Sequence, residues 1–291
     1  MKKKTLNSYL LTLPWILIFI TFWLYPMVFT GIMSFFKYNT LSNESSFIGF
    51  ENYKNMFSDS MFWTALRNTL FFTIGTVPVT TLIALLLANL LNSNLVKHKN
   101  FFRSSFFSPA ITSLVVISLI FTNLYAQDGY INFLLKTLGL PHPDRSWLLS
   151  SKTSLLAIMI MDIWSSCGYY MIIILSAMQA VPKSLYDTAN LCGAKPTYVL
   201  RKITIPMIKP TLIFVVIINT IKSFQVFIEI YIMTKGGPLG STTTLVYMIF
   251  TNAFEKNNSM GYAAAIAYFL FFALLIISFL QTKIIKKNNL I

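Results

Sequence analysis

Acidic side chains are the scarcest chemistry in this sequence. Nine Asp and Glu stand against 23 Lys and Arg among 291 residues, and charged residues of both signs make up only 11%. A soluble domain carries about 25%, so the shortfall excludes an ordinary water-soluble fold and points to a chain dissolved in lipid. Two cysteines, Cys167 and Cys192, are too few for a disulfide framework. They read as a small residue in an apolar helix and a neutral loop residue. His98 and His142 fall in loops on opposite faces of the membrane, so neither can partner the other. No metal-ligand cluster, no nucleophile constellation and no G-x-x-x-x-G-K-[ST] phosphate cradle occurs. Catalysis, a resident metal and ATP binding on this chain are therefore not expected. The net charge of +14 does not indicate nucleic acid either, because the basic residues are scattered between apolar runs.

What the sequence has is long apolar runs. A spanning helix needs ~20 mostly apolar residues, and six such runs occur, at about 10–35, 64–92, 105–126, 153–179, 210–233 and 259–283. The first is too long for a signal peptide, contains Pro14 and Pro26, and has no small-x-small cleavage site after it. Lys and Arg collect on the cytoplasmic side of a membrane. With the N-terminus inside, inner segments hold 14 of the 23 basic residues, among them Lys2, Lys97, Arg103, Lys195, Arg201 and Lys286. Six of the nine acids, Glu44, Glu51, Asp59, Asp128, Asp144 and Glu255, fall outside, and Trp63 and Trp147 sit where an outer aromatic belt belongs. The expectation is an all-α integral membrane protein with six transmembrane helices and both termini cytoplasmic. No linker, repeat or low-complexity tract divides it, so residues 1–291 are expected to form a single transmembrane domain. Residues 129–139 fit a short interfacial helix stopped by Gly139-Leu140-Pro141, and Pro78 is placed to kink the second span.

The longest inner loop, 180–209, is AVPKSLYDTANLCGAKPTYVLRKITIPMIK. Ser184 and Asp187 fit an S-x-x-D capping box at a helix start, Gly193 suits the left-handed position that ends a helix, and Pro196 suits the first position of another. Pro206 and Pro210 then break the chain before the fifth span. The spacing predicts a two-helix elbow projecting from the membrane.

The run Asp187-Thr188-Ala189, then Gly193-Ala194, then Ile203-Thr204-Ile205-Pro206 resembles the EAA loop of ABC-importer permeases. Leu24-Tyr25-Pro26, Gly49-Phe50-Glu51-Asn52-Tyr53, Ser223-Phe224-Gln225-Val226-Phe227 and Gly236-Gly237-Pro238 are similar to the carbohydrate-uptake branch, the family of the maltose and glycerol-3-phosphate systems. The resemblance covers nearly the whole chain. It departs at Asp187 (usually Glu), Thr188 (usually Ala), Cys192 (often Asp) and Lys222 (commonly a small residue). The resemblance implies a permease subunit of a bacterial ATP-driven importer for a sugar or related polyol, in the plasma (inner) membrane. It implies partnership with a second permease subunit, a pair of ATPase subunits that hold ATP and Mg, and an extracytoplasmic solute-binding protein. No cofactor is implied on this chain. Ser184, Tyr186, Asp187, Thr188, Ala189, Gly193, Ala194 and Pro206 would form the coupling helix that docks on the ATPase.

Polar groups deep in a spanning helix usually face a cavity or a partner. In the fifth span Asn219, Lys222, Gln225 and Glu229 recur at intervals of three, three and four, one helical stripe with Ser223 beside it. Polar glue between helices is the competing use of such residues. Asp162 lies ~13 Å inside the outer end of the fourth span and Lys222 ~16 Å inside that of the fifth, at 1.5 Å per residue. The depths match, so Asp162 and Lys222 are expected to approach each other, with Asn219, Ser223, Gln225 and Glu229 lining a solute path. The alternative function is a secondary transporter driven by an ion gradient, which would need its own coupling-ion site at broken helices. A membrane enzyme would need a catalytic constellation, and none is present.

Overall fold

A computed structural model describes residues 2–38, 45–93, 96–141, 143–256 and 259–287, with side chains within 11–283. Glu44, His142 and the side chains of Lys2 and Lys286, which the sequence arguments use, lie outside the described residues. In chain order the elements are α1 (Leu11–Met33), β1 (Phe36–Tyr38), β2 (Ser45–Phe47), α2 (Glu51–Ser58), α3 (Ser60–Asn92), α4 (Lys99–Ile111), α5 (Leu114–Leu124) and α6 (Tyr130–Thr137). They continue with α7 (Ser154–Gln179), α8 (Lys183–Leu191), α9 (Pro196–Val199), α10 (Ile205–Phe224), α11 (Ile228–Met233), α12 (Leu245–Phe250) and α13 (Met260–Lys287). Among the described residues, five helical stretches are long and apolar enough to cross a membrane, and the α4–α5 pair supplies a sixth when counted as one crossing. The expected run of apolar spans is therefore present, with one change of form.

That change is in the third span. The unbroken helix expected over 105–126 is two helices meeting at 94°. Thr112 (φ −81°, ψ 146°) and Ser113 (φ −56°, ψ 126°) are both extended. Pro109 has already removed one hydrogen bond from the last turn of α4, and β-branched Ile111 and Thr112 are weak helix formers. α3, by contrast, runs unbroken through Pro78.

The chain packs as two compact units, Met1–Phe62 with Met248–Ala273, and Trp63–Tyr247 with Leu274–Ile291. In the first, β1 and β2 form an antiparallel hairpin pairing Phe36 with Phe47, so the chain is not purely helical as expected. The hairpin extends from α1 because Asn52 Nδ2 donates to the carbonyls of Ser34 (2.8 Å) and Phe36 (3.0 Å), which no longer have helical partners. Tyr262 OH donates to Asp59 Oδ2 at 2.7 Å, and Phe57, Phe62 and Phe269 pack edge to face.

In the second unit α7 is the central post. Its N-terminal half joins a core of Phe72, Tyr125, Ile158, Met161 and Ile230. Its C-terminal half joins another of Ala84, Ala88, Tyr170, Ile174, Met178 and Val215. A Cβ on Gly168 would run into the Phe106 carbonyl, so the missing side chain lets α4 lie directly on α7. α6 forms as the sequence predicts. Gly139 (φ +67°) ends it, with its N–H on the Lys136 carbonyl (3.1 Å) and that of Leu140 on the Leu135 carbonyl (2.9 Å). Asn132 fastens the helix by donating to the Gln127 carbonyl (2.9 Å) and accepting from Trp147 Nε1 (2.8 Å). Trp147 is thus tied into the protein, whereas Trp63 is 51% exposed as a belt residue would be.

Candidate functional site

Between the two cores of the second unit, α7 changes character. From Asp162 to Ser166 it carries Asp162, Ser165 and Ser166, all buried. α10 contributes Asn219, Lys222 and Ser223 between its Val215 and the Val226 that follows it, and α3 contributes Thr76 and Thr80 between Phe72 and Ala84. A polar layer therefore cuts across an otherwise apolar bundle. Buried polar groups are tolerated only when they find partners, and most do here.

Lys222 Nζ donates to Asp162 Oδ1 at 3.0 Å and to Ser166 Oγ at 2.5 Å, and Ser166 Oγ donates to the same Asp162 oxygen at 3.2 Å. The expected approach of Asp162 and Lys222 is present as a direct ion pair. Its two ends differ sharply: the Asp162 side chain is 3% exposed and that of Lys222 is 42% exposed. The lysine head reaches a cavity of about 320 Å³ lined by Pro109, Thr112 and Leu114 at the α4–α5 break and by Ser165, Ser166, Tyr169 and Tyr170 of α7. The break matters here, because it leaves Thr112 in extended geometry in the lining of the cavity that Lys222 enters.

The remaining stripe residues do not share the cavity. Asn219 is fully buried, with Nδ2 at 3.5 Å from the Val77 carbonyl of α3 and its Oδ1 unpartnered. Ser223 is buried against Thr76, the two hydroxyls 3.2 Å apart. Both hold α10 to α3. Gln225 is exposed and Glu229 is 3% exposed. The stripe fails because α10 ends at Phe224. Gln225 (φ −96°, ψ 15°) and Phe227 (φ −145°, ψ −57°) leave helical geometry, and the 3.6-residue period does not carry across to α11. Ser166 was missed by the sequence reading. Its signal was available, since it stands four residues after Asp162 on the same helical face.

The 180–209 loop forms the elbow, with two corrections. α8 begins at Lys183 behind Pro182, and no side chain caps it, so Ser184 and Asp187 do not make a capping box. Pro182 takes the cap position because its fixed φ (−54°) and extended ψ (126°) already turn the chain into the helix. Ser184 lies inside the helix, where its carbonyl accepts from Thr188 Oγ1 at 2.8 Å. The break expected at Pro206 and Pro210 is also absent. A wide turn at Leu200–Thr204 precedes α10, and the helix then carries both prolines. Wide turns of this kind absorb the hydrogen bond that a following proline cannot make.

Gly193 behaves as the sequence predicts. It is left-handed at φ +67°, its N–H donates to the Asn190 carbonyl (3.0 Å), and the Ala194 N–H donates to the Ala189 carbonyl (3.0 Å). This paired closure is a Schellman motif. Pro196 opens α9 with Lys195 at its N-cap. Ala189 is buried, and the hydroxyls of Tyr186 and Thr204 stand 3.3 Å apart, which fastens the elbow to the start of α10. Asp187, Thr188 and Pro206 are exposed, and Ala194 is half-buried. Asp187 also lines a cavity of about 530 Å³ against Asn89, Asn92 and Gln179 at the ends of α3 and α7. Leu191 is 90% exposed and Tyr198 57% exposed. The elbow thus presents apolar side chains from a fixed backbone.

The chain is similar to known proteins over most of its length. The family model described as "Binding-protein-dependent transport system inner membrane component" matches residues 68–288. The lactose transport system permease protein LacF of Rhizobium radiobacter is 33% identical over 277 residues, covering 94% of this chain and 92% of that protein. The arabinooligosaccharides transport system permease protein AraP of Bacillus subtilis is 35% identical, covering 97% and 89%. A crystal structure of a bacterial ABC transporter involved in the import of the acidic polysaccharide alginate superposes with a TM-score of 0.84 at 23% identity, covering 98% of this chain and 96% of that one.

Proposed function

The chain belongs to the binding-protein-dependent transport system inner membrane components, and on that premise we propose that it is one permease subunit of an ATP-driven importer for a sugar or related polyol. The carrying observation is the end-to-end similarity to permeases named for lactose and arabinooligosaccharides. The chain supplies a path and hydrolyses nothing. ATP and Mg belong to a separate pair of ATPase subunits, a second permease completes the path, and an extracytoplasmic protein delivers the solute.

In this reading both termini are cytoplasmic, as the bias of Lys and Arg requires. The elbow from α8 to α9 is the coupling element. Its closed Gly193 turn and exposed Leu191 and Tyr198 suit docking into a groove on the ATPase, and Asp187 supplies the charge at the motif position. Closure of the ATPase pair then moves the elbow and, through α10, the polar layer. Asp162, Lys222 and Ser166 form the solute-facing part of that layer. Lys222 is already balanced by Asp162, so its N–H groups are offered to hydroxyls without a net positive charge. A sugar needs such a mix of donors and acceptors. Asn219 and Ser223 hold the path to α3, and Gln225 and Glu229 flank the helix break beyond it.

Reconstitution in liposomes with the ATPase and binding protein tests the reading. Sugar uptake should require ATP on the ATPase side and be indifferent to an ionophore that collapses ion gradients. Uptake that runs without ATP and stops with the ionophore would establish the secondary transporter instead. Orientation has its own test in a Cys192→Ser background. A membrane-impermeant maleimide added to intact cells should label Asp128→Cys and spare Lys97→Cys, both exposed positions. The reverse pattern inverts the topology.

A further inference from the structure

The turn from α9 into α10 gathers positive charge. Lys195, Arg201 and Lys202 line one cavity of about 580 Å³, together with Cys192, Thr197 and Tyr198. Lys195 and Arg201 lie at opposite ends of α9, and the backbone brings them to one recess. Lys195 is extended (φ −65°, ψ 146°), and its carbonyl accepts from the N–H groups of Tyr198 (2.9 Å) and Val199 (3.0 Å). At the other end Arg201 and Lys202 ride on the wide turn, which closes where the Ile205 N–H donates to the Leu200 carbonyl.

No acid answers these charges. All three residues are exposed, and among the described residues none of them forms an ion pair or a side-chain hydrogen bond. Asp187 is the one acid of the 180–209 loop, and it lines a different cavity, against Asn89, Asn92 and Gln179. The bias of Lys and Arg toward one side of a membrane explains cations in this loop. It does not explain three of them sharing one recess, where they repel one another. Thr197 adds a hydroxyl to the same wall, and Tyr198 adds an aromatic face. The recess is thus furnished for an anion that the chain itself does not supply.

We propose that this recess binds a phosphate-bearing anion, with Arg201 as its main ligand and Lys195 and Lys202 beside it. A guanidinium fork matches a pair of phosphate oxygens, and lysines add point charges. Phosphate suits the site better than a carboxylate does, because a monoester brings close to two charges and three acceptor oxygens to three cations. The same chemistry is carried by the headgroup of an anionic lipid and by a soluble phosphate ester. A lipid can reach the recess, since α10 begins directly after the turn and basic pockets beside a span take such headgroups. The bound anion ties Lys195 to Arg201 and Lys202 and so pins both ends of α9. The site goes beyond the functional reading above, because sugar transport requires no anion here. Where that reading holds, the anion sits on the coupling elbow and stiffens it.

The test reads Cys192, a free and exposed thiol in the lining of the recess, whereas Cys167 is buried. The purified permease–ATPase complex is treated with the neutral reagent N-ethylmaleimide, and alkylation of the Cys192 peptide is timed by mass spectrometry. One arm adds glycerol phosphate to the complex in detergent, against sodium chloride of equal ionic strength. The other compares nanodiscs of phosphatidylcholine with nanodiscs that also contain phosphatidylglycerol. Alkylation should slow about fivefold in at least one arm, and the arm that responds identifies a soluble ester or a lipid as the source. Arg201→Gln should abolish the protection. Lys195→Gln, at the other end of α9, should raise the anion concentration or lipid fraction for half-protection about tenfold, the loss of one charge-assisted contact. Lys183→Gln removes an exposed cation that lines the other cavity and should leave protection intact. Protection in neither arm overturns the proposal. Protection that survives both Arg201→Gln and Lys195→Gln also overturns it, since the anion then lies elsewhere. A Cys192 that does not react in the parent complex overturns it too, because the ATPase would then close the recess. ATP-independent uptake, by contrast, would sink the functional reading and leave this site standing.

Discussion

Gly193→Val is expected to lower ATP-driven transport about tenfold while the subunit still reaches the membrane in normal amount. The effect arises in the backbone. A Cβ at Gly193 would meet nothing within 4 Å, so no clash is involved. The φ of +67°, however, belongs to the left-handed region, which costs an L-residue roughly 1–2 kcal/mol. A change of that size shifts a two-state balance roughly 5–30-fold. A β-branched side chain is worse placed there than most. The two hydrogen bonds closing α8 depend on that φ, and opening them lets Leu191 swing away from its position. The spans lie elsewhere, so insertion is spared. Gly193→Asn should recover most of the activity, because Asn tolerates the left-handed region. Stimulated ATP hydrolysis and uptake measured on the same preparations decide the matter. A fully active Gly193→Val complex would show that this elbow is not the coupling element.

The broad architecture was legible because hydropathy and charge are long-range averages. A run of apolar residues marks a span whatever its details, and the Gly193 and Gly139 closures were legible because few other residues adopt positive φ. The features that escaped depend on single residues set against such averages. The α4–α5 break leaves 105–126 as apolar as a straight helix, and only the local preferences of Pro109, Thr112 and Ser113 produce the 94° bend. The fifth-span stripe assumed that one helical period ran from Asn219 to Glu229, and three residues out of helical geometry were enough to undo it. The capping box failed because Pro182 takes the cap position two residues earlier. Ser166 was passed over because a serine in an apolar helix commonly bonds its own backbone. Its role here appears only once Lys222 stands opposite.

Lys222→Met is expected to have the largest effect on transport, a loss of at least a hundredfold. Asp162→Asn should do less damage, and the double variant should transport at least ten times better than Lys222→Met alone. The asymmetry follows from burial. Asp162 is 3% exposed and Lys222 42% exposed. Removing the lysine leaves a carboxylate inside the bundle with the Ser166 hydroxyl as its remaining side-chain partner. Breaking a buried pair from one side costs about 3–5 kcal/mol, chiefly the uncompensated charge left behind. At 1.4 kcal/mol per decade that is about two to three and a half orders of magnitude. Removing the carboxylate instead leaves a lysine whose head can still be solvated in the cavity at the α4–α5 break, and the Asn oxygen still accepts from it. The double variant removes both charges of the pair, so it regains what Lys222→Met lost to the unpaired Asp162. It does not regain the donor that Lys222 offers to a sugar hydroxyl, and so it should remain below the parent. A double-mutant cycle on uptake, with each subunit quantified in the membrane, isolates the coupling between the two residues. Additive losses would mean that the pair acts only as two separate structural residues. Parental transport in all three variants would move the solute path away from this layer altogether.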